Sequence, residues 1–279
     1  MQDSALYQYN PGHLDFWEKG ITNQSDVSLT TGDDNSTFYL SGQYVDVTGT
    51  TPGDKYNRTN FRLNGTRKIG NKILATYSTG YTQNRYNTTT QTGSMYANML
   101  NMPSNVDITK YKNWRTDPFA NPNGYYNPWY QNPYFTADNN RSIQRNDYLV
   151  ANLELRFTPI QGLDLVARQG ITTRNYSNKN SVGEFKFTDY AKHTDQSSKS
   201  DISASVSDGS NYRTQLLSDL FAQYQKSIKS FSVNAIIGGQ WTQNEAKFVS
   251  VGANGLFVPT LFNVSNGVGT PSVGERNFR

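Results

Sequence analysis

Residues 148–170 read YLVANLELRFTPIQGLDLVARQG, and their alternation decides how the chain folds. Leu149, Ala151, Leu153, Leu155 and Phe157 take every second place, with Asn152, Glu154 and Arg156 between them. A period of two is that of an extended strand with one apolar and one polar face. Thr158 to Gly162 supplies a reversal. Pro159 fixes φ, Gly162 tolerates a positive φ, and the alternation restarts at Leu163, Leu165 and Ala167 against Asp164 and Arg168. The stretch predicts a β-hairpin with its charges on one side.

The same rhythm recurs along the chain. It predicts strands at about 23–31, 36–47, 57–68, 72–85, 146–158, 162–175, 212–226 and 230–247, several of them longer than the roughly 5–6 residues usual in globular proteins. Composition agrees: aromatics reach 13%, with 19 tyrosines, and Asn, Thr, Ser and Gly fill much of the rest. Such a mixture favours strands and turns over helices. The formal charge of +4 arises from 26 basic and 22 acidic residues spread along the chain, which offers no basic block to grip nucleic acid. With no cysteine, disulfides, thiolate metal sites and cysteine nucleophiles are excluded. No apolar run approaches the roughly 20 residues of a membrane helix, and no basic n-region with an apolar h-region is legible ahead of the first strand, so a secretory signal is not expected within these residues.

The connections fall into two kinds that alternate. Tight turns are expected at Gly32–Asn35, Ile69–Asn71, Thr158–Gly162 and Gln225–Lys229; long connections at about 48–56, 86–145 and 176–211, the last including 196–206 as an excursion. Long loops tend to be functional, and tight turns at one end with elaborate loops at the other is the plan of outer-membrane barrels. Glu154, Arg156, Asp164 and Arg168 share a face, and a basic residue facing lipid near the midplane costs about 2–4 kcal/mol, so that face is expected to be lumenal, Arg62 with it. Tyr148 and Phe157, with Tyr44, Tyr56, Tyr81, Tyr224 and Trp241 at other strand ends, suit the aromatic girdles of such barrels. A one-sided pattern also fits a sandwich of two antiparallel sheets with the apolar faces as its core. The membrane reading requires Leu63, Ala75, Leu153 and Leu165 to share one uncovered face with Phe231; the sandwich reading encloses them.

Several segments in order resemble a known family: WEKGITNQSDVSLTTG from Trp17 to Gly32, then FYLSGQYVDVTG, then YNRTNFRLNGTRKIGNKILATYSTGYTQN, whose Arg58, Asn60, Arg62 and Asn64 alternate. MPSNVDITKYKNW, the NPYF of Asn132–Phe135, the opening hairpin and YQKSIKSFSVNAIIGGQW follow in turn. The ordered set is similar to the early barrel of SusC/RagA-type TonB-linked outer-membrane transporters. The resemblance implies an all-β, antiparallel up-and-down transmembrane barrel segment of about eight long strands with long extracellular loops. It spans residues 1–279 as one partial domain, with 86–145 an extracellular insertion. It also implies residence in outer-membrane lipid and import of glycans or peptides, with a SusD-like surface lipoprotein and the TonB complex as partners and no cofactor. Plugged barrels have about 22 strands, so the signal peptide, TonB box, plug and C-terminal strands are expected to lie outside this sequence. The alternative is a soluble glycan-binding or adhesin-like β-domain.

Catalysis and metal binding find little support. His13 and His193 are too far apart for a ligand motif. Asp33, Asp34 and Asn35 suit a tight turn better than a calcium site, and the GTTPGDK of Gly49–Lys55 lacks the ending and helix of a phosphate loop. Glu154 and Asp164 would need a fixed separation to hydrolyse a glycoside; beside Arg156 and Arg168, an ion network is the commoner arrangement. No enzyme is expected. The strongest binding feature is NPNGYYNPWYQNPYF, which sets Tyr125, Tyr126, Trp129, Tyr130 and Tyr134 among amides as rings on which a sugar or peptide can stack. The other possibility is that they pack the loop onto itself. SMYANMLNM, Ser94–Met102, predicts a short helix capped by Ser94 and stopped by Pro103.

Overall fold

The computed structural model describes residues 12–193, 198–228 and 230–278. Lys229 of the expected fourth turn, and residues 196–197 of the expected excursion, lie outside these. Nine strands form one sheet in which each pairs antiparallel with its neighbours in sequence. They are β1 (Ile21–Asp33), β2 (Ser36–Thr48), β3 (Lys55–Ile69), β4 (Ile73–Thr89), β5 (Arg141–Ile160), β6 (Leu163–Val182), β7 (Ser205–Ile228), β8 (Phe231–Asn254) and β9 (Ser272–Phe278). The sheet is a meander and is not closed. No helix among the described residues is long and apolar enough to cross a membrane.

The register carries one face through the whole sheet. In antiparallel pairs, directly opposite residues project to the same side. Ile69, Ile73, Phe157, Leu165, Ala222 and Ile237 are opposite one another in turn from β3 to β8. Leu29, Leu40 and Leu63 make a similar row on β1 to β3. Leu63, Ala75, Leu153 and Leu165 therefore share a side with Phe231, as the membrane reading requires. No second sheet covers that side among the described residues: Phe231 is 78% exposed, Ile237 79% and Leu220 70%. The apolar face is not the inside of a sandwich. Arg67 interrupts it, opposite Ser36 beside the β1–β2 turn.

Two expected girdle residues face the other way. Tyr56 pairs with Tyr86 and donates its hydroxyl to Asn84 Oδ1, and Tyr148 sits opposite Arg174. Both have the parity of the polar face, because nearness to a strand end does not override the period of two. Tyr44, Tyr81, Phe157, Tyr224 and Trp241 do lie on the apolar side.

The tight ends are local. Asp33 Oδ1 accepts from the backbone N–H of Asn35 and of Ser36, closing the first turn as the sequence suggested. In the opening hairpin the register shifts between Phe157 and Ile160, so Pro159 sits at a bulge and the reversal itself narrows to Gln161–Gly162. Gly162 has φ +87, and a Cβ there would strike the Gln225 carbonyl.

The buried core is found at the opposite end. Residues 90–140 fold into α1 (Thr92–Leu100), α2 (Pro133–Asn139) and short 3-10 turns. Phe16, Met95, Met99, Ile108, Tyr111, Tyr125, Tyr134 and Ala137 form one cluster there. Phe135 joins Phe185, Phe187 and Ala191 of the β6–β7 connection in a second. Ala204, Val206, Ala253 and Leu256 form a third under the β8–β9 connection. Residues 198–204 carry no strand beyond the bridge between Phe185 and Ile202, consistent with an excursion on the long-loop side. Ser94 is not the cap of α1: the N-cap is Gln91, and the Ser94 hydroxyl donates back to the Gln91 carbonyl from within the first turn.

Arg141 pins this loop end to the sheet. Its guanidinium meets Asp54 Oδ1 at 2.8 Å and also donates to the carbonyls of Gly53, Asn87 and Ala137. Asp54 Oδ1 in turn accepts from the Thr89 N–H. Removing one partner of a fully buried ion pair costs about 3–5 kcal/mol, and this pair is nearly buried. Arg141→Ala is expected to speed proteolysis within residues 90–140 while the strands stay resistant, which timed digestion and fragment mass will read.

Candidate functional site

The loop aromatics are brought together by packing. Asn132 organises them: wholly buried, it caps α2 by accepting from the Tyr134 N–H, and its Nδ2 donates to the carbonyls of Tyr111 and Ala120. Pro133 follows at a position where no N–H is needed. This pulls residues 111, 120 and 134 onto one point. Tyr125 (5% exposed) and Tyr134 (6%) are consequently buried, Tyr125 edge-on to Tyr111 and Tyr126, Tyr134 against Phe16. Tyr126 and Tyr130 are half-buried against the same cluster. Trp129 instead bridges to the second cluster, 5.3 Å from the Tyr190 ring, with its indole N–H enclosed and without a hydrogen-bond partner. Burial pushes the Tyr126 and Tyr134 phenols up to about 12, and that of Tyr125 higher still.

On the polar face of the sheet, Glu154, Arg168, Asp219 and Gln240 are directly opposite one another across β5 to β8. Arg168 meets Glu154 at 2.7 Å and Asp219 at 3.5 Å, Gln240 donates to Asp219, and Arg156 meets Glu154 at 3.2 Å. The Arg168 guanidinium also lies 5.6 Å from the Phe221 ring centroid. Asp164 shares the face but not the ladder: it accepts from the Thr158 hydroxyl beside the tight turn. Arg62 is remote from both, bordering a cleft of about 450 Å³ with Asp26, Gln43 and Asn60. There Gln43 accepts from Arg58 and Asn60 and donates to Asp26. Opposite charges neutralise one another along the Glu154 ladder, so it is suited to holding a polar wall together.

A larger cleft of about 1090 Å³ opens on the same face, nearer the long connections. Tyr148, Arg174, Arg213 and Phe278 belong to one cross-strand row bordering it, and Tyr176, Asn211, Phe248 and Arg276 to the row above. Apart from Tyr148, expected in a girdle, the sequence did not single these out. Arg174 has the parity of Arg168 and was visible in principle. Arg213 could be joined to it only through the register, and Arg276 sits on a strand the alternation did not reveal.

Loss of the Asn132 amide orphans buried carbonyls at about 1–3 kcal/mol per unsatisfied group. Asn132→Leu is expected to loosen the aromatic cluster and expose Trp114 and Trp129, read as a red-shifted, more quenchable indole emission. A spectrophotometric titration makes a second check. The fold raises the Tyr126 and Tyr134 values above the ordinary 10, so the stability they contribute is fully present below pH 10 and is lost as pH rises through about 12. Tyrosinate absorbance should show late-ionising phenols that move to about 10 in the Asn132→Leu protein.

No protein-family model matches the chain, and no curated protein matches it in sequence. Solved structures do. The chain superposes on the RagAB peptide transporter with a TM-score of 0.70 at 19% identity, covering 96% of this chain and 30% of that one. The RagAB peptide importer in its closed-closed state gives 0.68 at 18% identity, with the same coverage, and in its open-open state 0.69 at 18%, covering 95% and 29%. The chain thus spans under a third of the length of the solved chains it matches, and its fold is that of part of the RagA barrel.

Proposed function

We propose that this chain forms part of the wall and external loops of an outer-membrane importer of peptides or glycans. It would be energised through TonB and work beside a SusD-like surface lipoprotein. The observation that carries the reading is the uncovered apolar face, whose row from Ile69 through Ile73, Phe157, Leu165 and Ala222 to Ile237 is continuous from β3 to β8. Monomeric water-soluble proteins rarely leave so large a continuous apolar surface exposed. The stretch from Phe231 to Trp241 rises about 33 Å at roughly 3.3 Å per residue, and at a tilt of about 40° it spans about 25 Å, the height of the apolar band of outer-membrane barrels. Likeness to a peptide importer supports the direction of transport and the substrate class.

In this reading Glu154, Arg156, Asp164, Arg168 and Arg62 face the lumen, and the reversal at Gln161–Gly162 is a periplasmic turn. Tyr126, Trp129 and Tyr130, which keep accessible ring surface, meet the substrate or the lipoprotein outside, and Tyr125 and Tyr134 support them from beneath. No catalytic step is assigned to any residue.

The test is a pair of substitutions on one strand. Leu153→Arg in the intact protein is expected to cost about 2–4 kcal/mol in the membrane and to deplete the heat-modifiable folded band in outer-membrane fractions. Asn152→Arg, on the other face, is expected to assemble normally. Equal tolerance of the two would overturn the membrane reading.

A further inference from the structure

The arginines of the polar face are treated in two ways. Arg168 is neutralised by Glu154 and Asp219. Farther along the same face of β6, Arg174 sits directly opposite Arg213 of β7, an arrangement in which like charges repel. Arg276, on the next row, borders the same cleft. Among the described residues no carboxylate forms an ion pair with Arg174, Arg213 or Arg276. Glu245 and Glu275 also border the cleft but have the opposite parity. Glu245 accepts from Gln243, and Glu275 is held by Lys247 at 3.1 Å.

The rest of the cleft holds the guanidiniums in place without cancelling their charge. Arg174 donates to Asn146 Oδ1 and lies 5.9 Å from the Tyr176 ring centroid; Arg213 lies 5.2 Å from that of Phe248, which is edge-on to Phe278. Between them, Asn211 Oδ1 is enclosed with no hydrogen-bond partner. A buried acceptor left unmatched needs an N–H or O–H from outside. Forked cations beside an unmatched acceptor and ring edges match a carboxylate carried on a molecule with a neighbouring donor and some apolar surface.

We propose that the Arg174–Arg213 pair, with Arg276 and Asn211, is a carboxylate-selective subsite on the import path. This deepens the importer reading and rests on it: the cargo is an acidic oligomer. An acidic peptide and a uronate-bearing oligosaccharide both carry the required carboxylate and donor.

The test uses the intact detergent-purified transporter and a fluorescent Glu-rich peptide, its Gln counterpart, oligogalacturonate and its methyl ester. The acidic peptide is expected to bind at least tenfold more tightly than the Gln peptide, with the preference shrinking as salt rises. Arg174→Gln with Arg213→Gln should abolish that preference and leave Gln-peptide binding within twofold. Arg174→Lys with Arg213→Lys, which keeps the charge and loses the fork, should retain only part of it and guards against a folding defect in the first variant. Lys247→Gln removes one positive charge from the opposite face and should change nothing. Whichever of the acidic peptide and oligogalacturonate competes at lower concentration identifies the source of the carboxylate. Undiminished preference in the double Gln variant, or binding without preference in the wild type, overturns the subsite and leaves the importer reading standing. Failure of every oligomer to bind overturns both.

Discussion

Everything in this molecule depends on the unbroken parity of its strand pairing. A shift of one residue at any one of the β1-to-β8 pairings would send the apolar residues of the strands beyond it to the other side. The one observed irregularity, between Phe157 and Ile160, is confined to the tight end of a hairpin, where the paired strands run out. That placement matters: Leu165 still faces Phe157, Ala167 still faces Leu155, and Arg168 still faces Glu154. The apolar belt and the charged ladder are therefore two consequences of one register.

A sheet whose apolar side is left uncovered cannot supply its own core. The clusters around Tyr134, Phe135 and Ala253 lie at the long-connection end, where two buried polar groups substitute for the missing sheet contacts. Asn132 gathers three segments of residues 90–140 through its side-chain amide. Arg141, at the first position of β5, ties that body to Gly53, Asp54 and Asn87. The loop body thus holds together through its own contacts while standing on a sheet with one apolar and one polar side.

Legibility in the sequence followed the physics of each region. Between Leu149 and Ala167 apolar and charged residues alternate cleanly, so hairpin, face and phase could all be read. The strands reach beyond the expected 146–158 and 212–226, to Arg141–Ile160 and Ser205–Ile228, because past the belt both sides are polar and the period has nothing to show. The ninth strand, SVGERNF, was missed for the same reason. Ser94 was misplaced because a hydroxyl near a helix start can donate backward as well as cap. Tyr56 and Tyr148 were placed by distance from the strand end when parity governs their side. The five ring residues of 125–134 were recognised as a group, but their burial depends on the long-range reach of Asn132 to residues 111 and 120, which no local pattern encodes.

The contrast between the two arginine sites along β6 follows from their level in the wall. Arg168 lies at the height of Leu155 and Leu220, where the opposite side of the sheet is apolar and the carboxylates of Glu154 and Asp219 are mostly enclosed, so that leaving them unpaired would be costly. Glu154 and Asp219 flank it there in the same cross-strand row. Arg174 lies beyond Ile171, at the height of Tyr148, where the opposite side of the sheet turns to Asn175, Asp147 and Lys179. Arg174 and Arg213 are both exposed there, and screening by water and salt lets two like charges stand opposite each other without a fixed partner. Charge compensation is built in beside the enclosed carboxylates and, among the described residues, is absent at the exposed Arg174–Arg213 pair.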